Sequence, residues 1–76
     1  MPQTTLDQRT WIPGLRRLMD EHDRGPTWVT RRLRAQGVDV DVSTVWRWSV
    51  NDNRAPLTML APLAAVFGVK EKELLK

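Results

Sequence analysis

Apolar residues fall at helical intervals through most of this chain, and the interruptions are marked by glycine and proline. Trp11, Ile12, Leu15, Leu18 and Met19 recur at the spacing of one helix face, with Arg16, Arg17, Asp20 and Glu21 on the others. They predict a helix over 12–22, in which Pro13 fits only the first turn, where a missing N–H is no loss. Gly25-Pro26 then breaks the pattern, and Pro26 suits the first position of a second helix. In that helix Val29 and Leu33 share a face, with Trp28 and Arg32 on the adjacent one. Arg31, Arg32 and Arg34 gather near its C-terminal end, where cations sit well against the helix dipole. Gly37 is expected to close it in the left-handed conformation.

Residues 38–42, V-D-V-D-V, alternate strictly and by themselves read as a short strand. No second strand candidate is available to satisfy its backbone, so an extended connection is expected, its valines filling the gap between two helices. It ends at Asp41, whose carboxylate can cap a third helix over 42–49. Val42, Val45 and Trp46 or Trp48 can meet the core from this helix, leaving Ser43, Thr44 and Arg47 for an exposed face. Residues 49–56, rich in Asn, Asp and Pro, form the clearest loop. Thr58 can cap a fourth helix with Met59 or Leu60, Leu63, Ala64 and Phe67 as its apolar stripe. Pro62 places its regular start near residue 60, and Gly68 ends it. Val69, Leu74 and Leu75 predict a last short turn or helix over 70–75.

The expected architecture is therefore all-α: a compact bundle of four to five short helices with no sheet, over residues 11–76, preceded by a flexible arm at residues 1–10. Trp11, Leu15, Leu18, Val29, Leu33, Val45, Leu63 and Phe67 are its expected core, leaving Leu74 and Leu75 for a partner. The four tryptophans read first as large core pieces. Trp28 or Trp46 could instead lie partly exposed against a sugar–phosphate edge or another subunit.

Composition narrows the chemistry. Seventy-six residues hold one domain, and with no cysteine there is no disulfide, thiol or cysteine-based zinc chemistry. Neither a membrane span nor a signal sequence is present, so a cytoplasmic, nucleoid-associated location is the expectation. The net charge of +3 is modest, but nine of the twelve basic residues are arginines, all between Arg9 and Arg54. Arginine suits phosphate recognition, although genomic base composition alone can produce the same bias.

Catalysis finds no support. Serine occurs only at Ser43 and Ser49, the single histidine, His22, lies in another segment, and Asp20, Glu21 and Asp23 read as a solvated helix end. Neither cofactor nor metal is expected. The helix over 42–49 points elsewhere. Small hydroxyls at Ser43 and Thr44, followed by Arg47 one turn on, suit the DNA major groove, where Ser and Thr pair with either kind of edge and Arg prefers guanine.

The order of these elements resembles the small helix-turn-helix domains of the phage-repressor class, the Cro/C1 or Xre type. W-V-T-R-R-L-R-A-Q-G at 28–37 stands where that family has its second helix, V-D-V-S-T-V-W-R-W at 40–48 where it runs into the recognition helix, N-R-A-P at 53–56 at its polar turn, and F-G-V at 67–69 at its close. The resemblance implies sequence-specific binding of double-stranded DNA by a transcriptional regulator. Val42, Ser43, Thr44 and Arg47 would face the bases, and Thr27, Trp28, Arg31 and Arg54 the phosphates. One such module offers little interface, so two copies on one site are expected, as a weak homodimer or a dimer formed on DNA, with the C-terminal turn carrying Leu74 and Leu75 as the contact. The chain departs from the family in a longer link between the second and third helices, in lacking a glutamine near the start of the second, and in Trp46 and Trp48.

Two other readings compete. The bundle could be a protein-interaction module whose arginines are ordinary surface, or an antitoxin-like or architectural DNA-binding subunit. The chain could also be the recognition part of a longer protein.

Overall fold

The computed structural model describes residues 8–76. In chain order these form strand β1 (Arg9–Thr10), helix α1 (Pro13–Glu21), helix α2 (Pro26–Ala35), helix α3 (Val42–Ser49), strand β2 (Ala55–Pro56), a 3-10 turn (Leu57–Met59), helix α4 (Leu60–Phe67) and a terminal 3-10 helix (Glu71–Leu75). The described residues are thus mostly helical, with one small strand pair.

Helix α1 starts with Pro13 at its first position. Its exposed side carries Arg16 with Asp20 at 3.3 Å and Arg17 with Glu21 at 3.1 Å. Both pairs put the base N-terminal to the acid, the weaker order against the helix dipole, so they do little to hold the helix. Packing does that instead, through Leu15, Leu18 and Met19, all buried. Beyond the helix Asp23 takes φ of 53°, and the Arg24 amide donates to the Met19 carbonyl at 2.9 Å, closing the end.

Helix α2 also opens on proline and has no side-chain cap. Gly37, at φ 88°, closes it as the sequence predicts. The Val38 amide reaches back to the Leu33 carbonyl at 3.0 Å, a geometry that costs a β-carbon-bearing residue dearly. Gln36 and Gly37 form the closing turn, and residues 38–41 connect it to α3 without regular structure. Val38 and Val40 pack half-buried on the core, Arg34 donates to the Val40 carbonyl at 2.9 Å, and Gln36 ties the link to α4 through the Pro62 carbonyl at 3.0 Å. The alternation of 38–42 therefore marks an extended connection, as expected.

Helix α3 has its expected bounds and α4 its expected start, with Pro62 in the first turn and Gly68 at φ 67° after the end. The expected Thr58 cap is absent: Thr58 lies inside the 3-10 turn and α4 has no side-chain cap.

Three further expectations need correcting. A sheet does exist. β1 and β2 pair antiparallel, Arg9 opposite Pro56 and Thr10 opposite Ala55, and the Leu57 amide adds a bond to the Gln8 carbonyl at 3.1 Å. The end of the expected arm is therefore part of the domain, while the rest of the arm, residues 1–7, lies outside the described residues. Second, Trp11 is exposed and its neighbour Ile12 is buried, because both precede the first helical turn and the helix period does not govern them. Third, Leu74 is fully buried. It belongs to a single core built from every helix, with Trp48 in it as well and only Leu75 left outside.

Candidate nucleic-acid interface

Helix α3 is fixed at its start by Asp41, whose carboxylate accepts from the Thr44 amide at 2.9 Å and from the Ser43 hydroxyl at 3.1 Å. Hydrogen bonding by Thr44, through side chain and then amide, and by Ser43 holds the Asp41 carboxyl below its ordinary range. The helix presents Val45, Trp48 and Ser49 to the core. With successive residues about 100° apart, these occupy one side. Val42, Trp46, Val50, Ser43 and Arg47 follow in that angular order across the exposed side. The exposed arc is thus apolar along one edge, Val42–Trp46–Val50, and polar along the other, Ser43–Arg47.

Thr44 lies beyond the polar edge. It is half-buried and, with Asp41 and Trp48, lines an open-sided groove of about 490 Å³ between α3, the 36–41 link and the strand pair. Of the four residues expected to face bases, Val42, Ser43 and Arg47 therefore share the exposed arc, and Thr44 sits at its margin.

The residues expected to meet phosphates are divided between sites. Thr27 and Arg31 are exposed one turn apart on α2, on the flank where Arg34 reaches toward the link. Trp28 lies on the other flank. It is half-buried against Phe67, ring centroids 6.0 Å apart, with the Arg24 and Arg32 guanidiniums 4.9 Å and 5.1 Å from its ring. This packing removes it from the surface shared by α3 and the link. Arg54 lies in the turn before β2, 5.9 Å from the exposed Trp11 ring, with its carbonyl accepting from Arg9 at 3.5 Å. Among the described residues, the guanidiniums of Arg31 and Arg47 have no hydrogen-bonding or ion-pair partner.

Sequence reasoning left Trp46 between the core and a partly exposed position, and it lies on the surface. It is 46% exposed, with the Arg16 guanidinium 5.8 Å from its ring. The deciding signal was available: once Val45 and Trp48 are both assigned inward, a step of about 100° per residue puts Trp46 about 160° from Trp48 and outside the core. Arg9 was missed, because its position depends on the strand pair.

Among the described residues no group of His, Cys, Asp and Glu is arranged to hold a metal ion, and no helix is long and apolar enough to cross a membrane. Compared with protein-family models, curated proteins and solved structures, the chain matches none.

Proposed function

We propose that this protein binds double-stranded DNA in a sequence-specific way and acts as a transcriptional regulator, with α2, the 36–41 link and α3 serving as a helix-turn-helix. The observation that carries the reading is the solvent face of α3. Its start is rigidly capped by Asp41, and it presents Ser43 and an unpartnered Arg47 one turn apart. A short helix of this kind fits the major groove, and Arg47 can donate in bidentate fashion to guanine O6 and N7. Arg31 and Arg54 supply phosphate contacts on either side, with Thr27 beside the free amides at the start of α2. A module this small offers a limited interface, so two copies on one DNA site remain part of the proposal. Leu74, buried in the core, is not their contact. The proposed location is cytoplasmic, on the nucleoid.

Binding to duplex DNA across a salt series tests this reading. Affinity should fall steeply as salt rises, in proportion to the number of phosphates neutralised. Lack of duplex binding at low salt would refute it.

A second reading is favoured by one observation, the exposed apolar edge of α3 together with Trp11. A protein-interaction module would use these side chains against an apolar partner surface and show little duplex affinity at any salt.

A further inference from the structure

The DNA reading assigns Arg47 and Ser43 but leaves the apolar edge of α3 without a role. Val42, Trp46 and Val50 are 38%, 46% and 38% exposed, and they form one row along the helix at intervals of four residues. Such a row must meet something apolar if α3 enters the major groove. The groove edge offers one such feature in unmodified DNA, the 5-methyl group of thymine.

We propose that Val42, Trp46 and Val50 make this protein selective for thymine next to the guanine read by Arg47, with Trp46 as the principal determinant. The inference rests on the DNA-binding reading. Two observations favour DNA over a protein as the occupant. The row is flanked by cations on both sides, Arg16 near the Trp46 ring and Arg47 on the adjacent edge, which complements a phosphate-bordered groove. Three partly exposed side chains also fall far short of the roughly 800 Å² per partner in a stable protein interface.

Thymine is favoured over 5-methylcytosine, the other pyrimidine that carries this methyl group. Arg47 can only donate hydrogen bonds. Thymine shows the acceptor O4 beside its methyl group, whereas cytosine shows the N4 amino donor. A donor-only neighbour thus disfavours cytosine whether or not it is methylated.

The experiment begins by selecting preferred duplexes from a randomised library with the full chain. Each thymine of the preferred site is then replaced singly by deoxyuridine, which removes only the methyl group. At one or two positions next to the selected guanine, affinity should fall about fourfold, the worth of one buried methyl group. Trp46→Ala should bind the thymine and deoxyuridine duplexes alike, while Arg47→Ala should keep the difference. Placing 5-methylcytosine at the sensitive position should not restore affinity. The deoxyuridine comparison uses the unaltered protein and so stands whatever the variants do. Specific binding with no sensitive thymine, sensitivity undiminished in a folded Trp46→Ala, or full affinity with 5-methylcytosine would overturn the inference while leaving DNA binding intact. Failure to bind any duplex would overturn the reading beneath it.

Discussion

Gly14 lies against Glu73 so closely that a β-carbon at residue 14 would overlap the Glu73 carbonyl oxygen and press on the Leu74 backbone. The contact joins the first turn of α1 to the terminal 3-10 helix, and Arg17 reinforces it by donating to the same carbonyl at 3.0 Å. Alanine would favour an isolated helix over glycine by about 1 kcal/mol. The overlap is with backbone, which yields poorly, and overpacking of this kind typically costs about 1–3 kcal/mol. Gly14→Ala is therefore expected to lower stability despite its better helix propensity. Urea unfolding that finds the variant more stable would contradict the contact.

Leu74 completes the core from the same 3-10 helix. Its replacement by alanine should destabilise the domain by about 2–5 kcal/mol, as for other buried leucines. Leu75→Ala, at a half-exposed position, should change stability little. Denaturant midpoints of the two variants separate a core role from an interface role. Equal, small effects would return Leu74 to the surface.

Acid should weaken the start of α3. The folded state holds the Asp41 carboxyl below its ordinary value, through Thr44 first and Ser43 after it. Its contribution is thus present above the unfolded value of about 3.9 and is lost as pH falls through the lower folded value. Glu73 acts in the same direction, held down chiefly by Lys76 and further by Arg17. Melting temperature measured between pH 2 and pH 6 should fall at the acid end. Asp41→Asn, which keeps a capping oxygen but cannot titrate, should show a shallower fall. An unchanged slope would remove Asp41 from the account.

Arg47 and Arg31 should differ in what they contribute to DNA binding. Arg47→Ala is expected to lose roughly 1–3 kcal/mol on the preferred site and to relax preference at one guanine. Arg31→Ala and Arg54→Ala should weaken preferred and random duplexes alike and flatten the salt dependence. Competition titrations on both duplexes distinguish these outcomes. Equal losses for Arg47→Ala on both would reassign it to the backbone.

Assembly follows from the same surface. With Leu74 internal, the exposed large apolar groups among the described residues are Trp11, Val42, Trp46, Val50 and Leu75. Three of these belong to the face proposed for DNA. Sedimentation of the free chain at micromolar concentration should therefore show a monomer, and a palindromic duplex should saturate with two chains. A tight dimer in the absence of DNA would contradict this.

The helices were legible where a local signal fixes their ends. Pro26, Gly37, Asp41 and Gly68 mark boundaries with chemistry that a reader of the sequence can evaluate, and α2 and α3 fall where those residues put them. The strand pair was not legible. Arg9–Thr10 and Ala55–Pro56 are too short to alternate, and Pro56 argues against a strand until its partner is known. Nor could five residues with no established period decide between Leu74 and Leu75, a choice made by the close seating of the Glu73–Leu74 backbone on Gly14. At the candidate site, Ser43 and Arg47 follow from the Asp41 cap, and Trp46 follows only when Val45 and Trp48 are both assigned inward. Trp28 was ambiguous because its partner, Phe67, comes from the far end of α4.

The strand pair also bears on the order of folding. Arg9 and Arg54 are 45 residues apart in the chain, and the segment between them holds α1, α2 and α3. Bringing such distant positions together before those helices pack would sacrifice chain entropy for only a few hydrogen bonds. The ribbon should therefore close after the three helices dock, and open without requiring them to separate. In native-state hydrogen exchange, the Leu57 amide, bonded to the Gln8 carbonyl, should exchange through a smaller opening than the Val45 amide inside α3. The strand pair would then be a late clasp on a structure already formed.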